Sequence, residues 1–465
     1  MKVAFVGGGA FRLVGILREA LSFPELFADG EIRLFDLNAP RAQAVARMVA
    51  KTPEFAAVKC RITCPTRLED ALEGVDMVGV ILMGGSYRTH RLADKISNEH
   101  GFLSSDNVSP NGAMLGLKTG ATLLHIARKM ERHCSKAWLV DFANPIAVLS
   151  GMINNHTKIQ AFGICEGFTN HEWDLTRIFG KDEQGDGCAV ETAGINHLSF
   201  ILRGTYQGRE LFAALNRRLK SGWKMCRMDS YRGRAVNQRI ASGVVELVRF
   251  YRELGVLIFS TEGDGMEHMN YEQCMARKNY DVAAPGPAQI SVELKKFTEA
   301  RAAAQQQFAT LLDKKLHVKF WDSAGKTSGV EWAAKSKRSA FVEMMRGRAG
   351  QTVPIVTSTL NLGAVAGFTD RTVLEYSQII EKGKVRPAGH YQVPAIMHGM
   401  LAGIANHQTM LGDAMATEDP KLLAQALLAY PIRQFSPAAR SLFKQLLRLN
   451  RDEIQPQLRR AVDYL

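Results

Sequence analysis

Short apolar runs alternate with longer segments of helical period through the N-terminal part of the chain. Lys2–Val6 is apolar and stops at Gly7-Gly8-Gly9. Phe11, Val14, Leu17 and Leu21 then recur at the spacing of one helix face, which predicts a helix over Ala10–Leu21. Glu31–Phe35 reads as a second strand ending at Asp36, and Arg41–Lys51 as a helix. Val75–Leu82 is a nearly continuous apolar run, as expected of a strand covered on both faces. A long helix over Ala113–His133 follows, then a strand over Ala137–Phe142 that Asn144-Pro145 stops. Ile146–Asn155 reads as a helix and Ile159–Ile164 as one more strand. This alternation predicts βαβ units, hence an α/β fold with a doubly wound parallel sheet and helices on both faces.

The rhythm changes near residue 185. Ala189–Arg203 alternates less regularly and contains Gly194-Ile195-Asn196-His197. From about Ser242 the pattern is mostly helical, including Val244–Leu254, Ala288–Leu312 and Leu401–Ala429. The expected organisation is a Rossmann-type domain over 1–190 and a mixed, mostly helical α+β domain over 191–465. No low-complexity linker separates them, so the two are expected to pack as one body.

Composition narrows the class. Apolar residues make up 46% of the 465 positions and charged residues 23%, which excludes wholesale disorder. The net charge of +13 favours anionic ligands. Arg217–Arg239 is locally basic and reads as a solvated face or a flexible loop; a nucleic-acid groove is the alternative, but only Trp223 and Tyr231 interleave with its cations, and no nucleic acid is expected as a partner. Seven cysteines, an odd and sparse set, fit a reducing cytoplasm better than a disulfide framework. The first apolar run is too short for a signal-peptide core, and neither secretion nor membrane insertion is expected.

Three features carry candidate chemistry. Gly7-x-Gly9 stands between a strand and a helix, where a dinucleotide needs a tight turn and a helix N-terminus facing its pyrophosphate. The usual third glycine is missing, since Arg12 holds that place. Asp36, closing the second strand, would accept ribose hydroxyls and repel a 2′-phosphate, favouring NAD over NADP. Cys165 directly follows a strand, and His197 lies further along. Each is either a packing residue or, together, a thiolate–imidazole pair for a divalent transition metal with open positions for substrate oxygens.

In order along the chain, Gly7-Gly8-Gly9, Asp106-Asn107-Val108-Ser109-Pro110-Asn111-Gly112, Ala143-Asn144-Pro145, Gly163-Ile164-Cys165 and Gly194-Ile195-Asn196-His197-Leu198 resemble glycoside hydrolase family 4. These are NAD- and manganese-dependent glycosidases related in fold to lactate and malate dehydrogenases. Asn361-Leu362 and Val373-Leu374-Glu375 resemble the family's late segment. The resemblance implies that Gly7, Gly9, Ala10, Phe11, Asp36 and Asn144 meet the dinucleotide. It implies that Cys165 and His197 hold Mn2+ or another divalent ion. Arg88, Asn144, Glu166 and Asn196 would meet the sugar. Asp106 would be the acid, with Asp264 or Tyr271 as the base. Glu166 departs from the Asn or His that many members carry after the metal cysteine. A homodimer or homotetramer is implied as well.

Ordinary glycosidases use two carboxylates. The family route oxidises sugar C3 with NAD+, removes the acidified C2 proton, expels the C1 leaving group, adds water and returns the hydride. The implied substrate is a small glycoside, with the net charge and Arg88, His90 and Arg91 tilting towards an anionic one: 6-phospho, 6-sulfo or uronic. The alternative on the same fold is an NAD-dependent dehydrogenase of a sugar or 2-hydroxy acid.

Overall fold

The computed structural model describes the chain except at positions 11, 103–104, 166, 182–186, 221, 226–233, 260–290, 293–294, 296–298, 300–338 and 433. Its described strands are β1 (Lys2–Val6), β2 (Gly30–Phe35), β3 (Cys60–Thr63), β4 (Met77–Val80), β5 (Trp138–Asp141), β6 (Ala161–Gly163), β7 (Cys188–Ile195), β8 (Leu198–Tyr206), β9 (Arg209–Glu210), β10 (Ile258–Phe259), β11 (Val353–Leu360), β12 (Val373–Glu381) and β13 (Lys384–Pro387). They form one 13-stranded sheet in the order β10-β8-β7-β12-β11-β6-β5-β4-β1-β2-β3, with β13 on β12 and β9 on β8. β1 to β6 run parallel, as a Rossmann-type unit requires. β11, β12, β7 and β8 continue the sheet antiparallel.

The apolar runs behave as doubly covered strands. Along β1, Ala4 and Val6 enter one hydrophobic cluster, while Val3 and Phe5 enter another on the opposite face. Leu139 of β5 joins the first cluster, and Trp138 and Val140 the second. This is the two-residue alternation of a pleated strand with both faces buried.

On one face lie helices α1 (Arg12–Leu21) and α2 (Ala39–Ala50). The other carries α3 (Tyr87–Glu99), α4 (Pro110–His133), α5 (Ile146–His156), α6 (Ala395–Thr417), α7 (Pro420–Leu428) and α8 (Pro437–Leu449). Leu411, Leu427, Phe443 and Leu446 share one cluster with Val78, Val80 and Met114, so the C-terminal helices complete the core of the N-terminal sheet.

Several boundaries differ from the sequence reading for identifiable reasons. α4 begins at Pro110, because Ser109 accepts the Gly112 N–H and caps it while Pro110 fills the first turn. The helix expected over Leu401–Ala429 is two helices. Glu418 takes a left-handed φ of 55°, and Asp419 then caps a new start at Pro420. Residues 353–387, within the stretch read as mostly helical, hold β11, β12 and β13. Ala189–Arg203 is a hairpin, β7 and β8 joined across Asn196-His197. Most of Ala288–Leu312 lies outside the described residues. The boundary expected at 190/191 falls inside β7.

Candidate active site

The turn after β1 is built from glycine out of necessity. Gly7 has a φ of 86°, and a Cβ there would collide with the carbonyl oxygen of Ile81. Gly7 and Gly8 both donate N–H to the Phe35 carbonyl, at 2.9 and 2.8 Å, which pins the turn to the end of β2. At Gly9 a Cβ would stand 2.7 Å from Arg41 Cβ and 2.8 Å from Asp36 Oδ2. Asp36 accepts the Gly9 N–H at one oxygen (2.9 Å) and the Asn38 N–H at the other (2.8 Å). Each of these oxygens keeps further lone-pair capacity for a hydroxyl. Ala10 continues the turn, donating to the Gly7 carbonyl at 3.0 Å. The sequence thus places a cradle at the C-terminal end of the parallel strands, where open α/β sheets bind ligands.

At the same end, the loops after β5 and β6 and the segment before α4 gather polar groups. Asn144 Nδ2 donates to Asp106 Oδ2 at 2.6 Å, and Asn107 Nδ2 to Asp106 Oδ1 at 3.2 Å. Ser105 Oγ holds this segment by accepting the N–H groups of Asn107 and Val108. The strand beneath ends in Asp141, fully buried. Its Oδ1 accepts the Ala143 N–H at 2.9 Å, while Oδ2 finds no hydrogen-bond partner among the described residues. Burial pushes its carboxyl up to about 8.

Cys165, two residues past β6, and His197, in the β7–β8 turn, converge: Sγ and Nε2 lie 3.5 Å apart. His197 holds a left-handed φ of 64°. The preceding Asn196 donates to Glu375 Oε2 of β12 at 2.8 Å. Glu375 is buried, and burial pushes its carboxyl above the usual range against the opposing pull of Asn196, His197, Ser199 and Ser358. The sequence reading gave Glu375 no role. The available signal was a lone acid inside the apolar run of β12.

Arg88 stands exposed on the first turn of α3. Further along the same helix, Asp94 Oδ1 accepts from the fully buried Asn111, which also approaches His90 Nδ1 at 3.4 Å. Phe11, Glu166, Asp264 and Tyr271 lie outside the described residues. Among the described residues no group of three or more His, Cys, Asp or Glu gathers to hold an ion, and no helix is long and apolar enough to cross a membrane.

A glycine-turned Rossmann-type unit whose sheet extends into an antiparallel half, with Cys165 and His197 meeting where the halves join, defines a class. Residues 2–180 match the model of the family 4 glycosyl hydrolases, and residues 192–432 that family's C-terminal domain; the chain belongs to this family. An alpha-galactosidase of Bacillus subtilis (strain 168) is 22% identical over 435 residues, spanning 92% of this chain and 93% of that protein. An alpha-galacturonidase of Thermoanaerobacter italicus is 21% identical over 470 residues, spanning 96% and 95%. The structure of a Thermotoga maritima 6-phospho-beta-glucosidase with manganese, NAD+ and glucose-6-phosphate shares the fold. It has a TM-score of 0.73 at 14% identity and covers 98% of this chain and 100% of that one.

Proposed function

We propose that this glycosyl hydrolase cleaves an anionic glycoside by oxidation, elimination, addition and reduction, with NAD and a divalent metal ion held at Cys165 and His197. The observation that carries the reading is the 3.5 Å approach of Cys165 Sγ to His197 Nε2, at residues remote in sequence. At that separation the sulfur and the nitrogen could both hold one ion between them. A thiolate and an imidazole suit a divalent transition metal, and two protein ligands leave room for two sugar oxygens.

When bound, the dinucleotide supplies reversible hydride transfer at sugar C3 and the ion supplies Lewis acidity to neighbouring sugar oxygens. The chain supplies the rest. The Gly7–Gly9 turn receives the pyrophosphate, and Asp36 receives a ribose and disfavours a 2′-phosphate. Asn144 orients the sugar hydroxyls, with its own amide fixed by Asp106. Asp106 exchanges a proton with the leaving oxygen at C1. Both its oxygens accept amide N–H groups, from Asn107 and Asn144, which fix the carboxyl in place. The base that takes the C2 proton is Asp264 or Tyr271. Arg88 and the net charge of +13 support an anionic sugar, recognised in the 6-phospho, 6-sulfo or uronic position.

The test is turnover of aryl glycosides, neutral and anionic, in D2O with NAD+, Mn2+ and a reductant. Deuterium at C2 of the released sugar, without net NADH, is the expected result. Stoichiometric NADH without hydrolysis would instead make the protein a dehydrogenase. Hydrolysis indifferent to NAD+ and metal would overturn the proposal.

A further inference from the structure

We propose that Glu375 is a positioning residue of the metal centre, one buried carboxylate that braces the two backbone segments carrying Cys165 and His197. The inference rests on the reading of that pair given above.

Its basis is a row of registered positions across the sheet. Gly163 pairs with Ser358, Ser358 with Glu375, Glu375 with Gly194, and Gly194 with Ser199. Directly paired residues of neighbouring strands project to the same face. Ser358, Glu375 and Ser199 therefore stand in line, and the two glycines add no side chain between them. The Glu375 carboxylate accepts from Asn196 Nδ2 (2.8 Å), Ser199 Oγ (3.4 Å) and Ser358 Oγ (3.5 Å). One end of the row leads to Cys165, two residues beyond Gly163. The other leads through Asn196 to His197.

Two further observations point the same way. Asn196 Nδ2 can only donate and is met by an acceptor oxygen of Glu375, inside a strand whose neighbours Leu374 and Tyr376 belong to the hydrophobic core. A carboxylate is costly to bury there, and a purely structural row would be served by neutral groups. His197 also holds a left-handed backbone, which few non-glycine residues adopt. The Asn196–Glu375 bond restrains the turn at the adjacent residue. Groups that orient first-sphere ligands this way tune metal affinity by roughly 10- to 100-fold.

The experiment measures Mn2+ affinity by electron paramagnetic resonance on full-length protein under reductant, with NAD+ affinity and melting temperature in parallel. Glu375→Gln keeps the shape and one acceptor oxygen for Asn196, but removes the charge and replaces the oxygen facing Ser199 with an amide donor. It is expected to weaken Mn2+ at least 10-fold while NAD+ affinity stays within about twofold. Glu375→Asp, which keeps the charge, is expected to recover part of the loss. Should Glu375→Gln fail to fold, Ser199→Ala with Ser358→Ala removes two donors and is expected to weaken Mn2+ in the same direction. Wild-type Mn2+ affinity in a folded Glu375→Gln protein, or in the double serine variant if that is the one that folds, overturns the inference. If wild-type protein binds no Mn2+, or Cys165→Ser binds it as well as wild type, the metal-centre reading fails instead.

Discussion

At the scale of single residues, the site is a set of groups whose chemistry is altered by where the backbone holds them. Asp141 is the sharpest case. Its carboxyl rises from 3.8 to about 8 because it is buried with a single N–H for company. The folded state therefore binds a proton that the unfolded chain releases near pH 4. Stability from this group is fully present below that pH and declines as pH rises towards about 8. Asp141→Asn, still able to accept the Ala143 N–H, is expected to flatten that decline and raise the melting temperature at pH 8 relative to wild type. An unchanged pH profile of denaturant midpoints would refute it. Cys165→Ser and His197→Ala are expected to abolish metal-dependent turnover by at least 100-fold while leaving NAD+ affinity near wild type. Gly7→Ala should do the reverse. A left-handed φ and the Ile81 carbonyl leave no place for the methyl, so NAD+ affinity and stability fall together, stability by about 1–3 kcal/mol.

At the scale of elements, local signals decide the boundaries. Asp419 accepts the N–H groups of Lys421 and Leu422 at 2.8 and 3.1 Å, and Asp419→Ala should cost about 1 kcal/mol in chemical denaturation. β12 and β13 meet through Lys382-Gly383, both with positive φ (52° and 69°), a turn that favours Asn first. Lys382→Asn is expected to raise stability by about 0.5 kcal/mol. The same local view explains what could be read beforehand. Strands such as Lys2–Val6 were legible because glycine ended them abruptly. The break in Leu401–Ala429 was not, because apolar residues keep helical spacing on both sides of Pro420 and proline is itself at home in a first helical turn. The strands of 353–387 were hidden among helices because short apolar runs do not distinguish strand from buried helix. Cys165 and His197 could be named individually from a resemblance, yet their meeting depends on the register of four strands. Glu375 depends on it entirely.

Over the whole molecule, the C-terminus is fastened to the N-terminal half by charge as well as by packing. The Lys118 side chain is fully shielded. Its Nζ lies 3.6 Å from Glu453 Oε2 and donates to Thr89 Oγ1 at 3.2 Å. Glu453 also accepts the Ser86 N–H at 3.1 Å and the Thr89 hydroxyl at 2.6 Å. Removing the carboxylate alone strands a cation out of water. Glu453→Ala should therefore destabilise by about 2–3 kcal/mol, discounted because Glu453 is partly exposed, and Lys118→Met added to it should restore much of the loss. A double-mutant cycle in urea measures both.

Because Leu411, Phe443 and Leu446 complete a cluster begun by Val78 and Met114, neither half of the polypeptide owns its interior. Severed near position 190 and produced separately, each piece would present raw apolar surface and bare strand margins to its neighbours and precipitate. Produced together, the same pieces carry complementary surfaces and are expected to reassemble, a natural template for a split reporter whose signal returns only when two tethered fragments find one another.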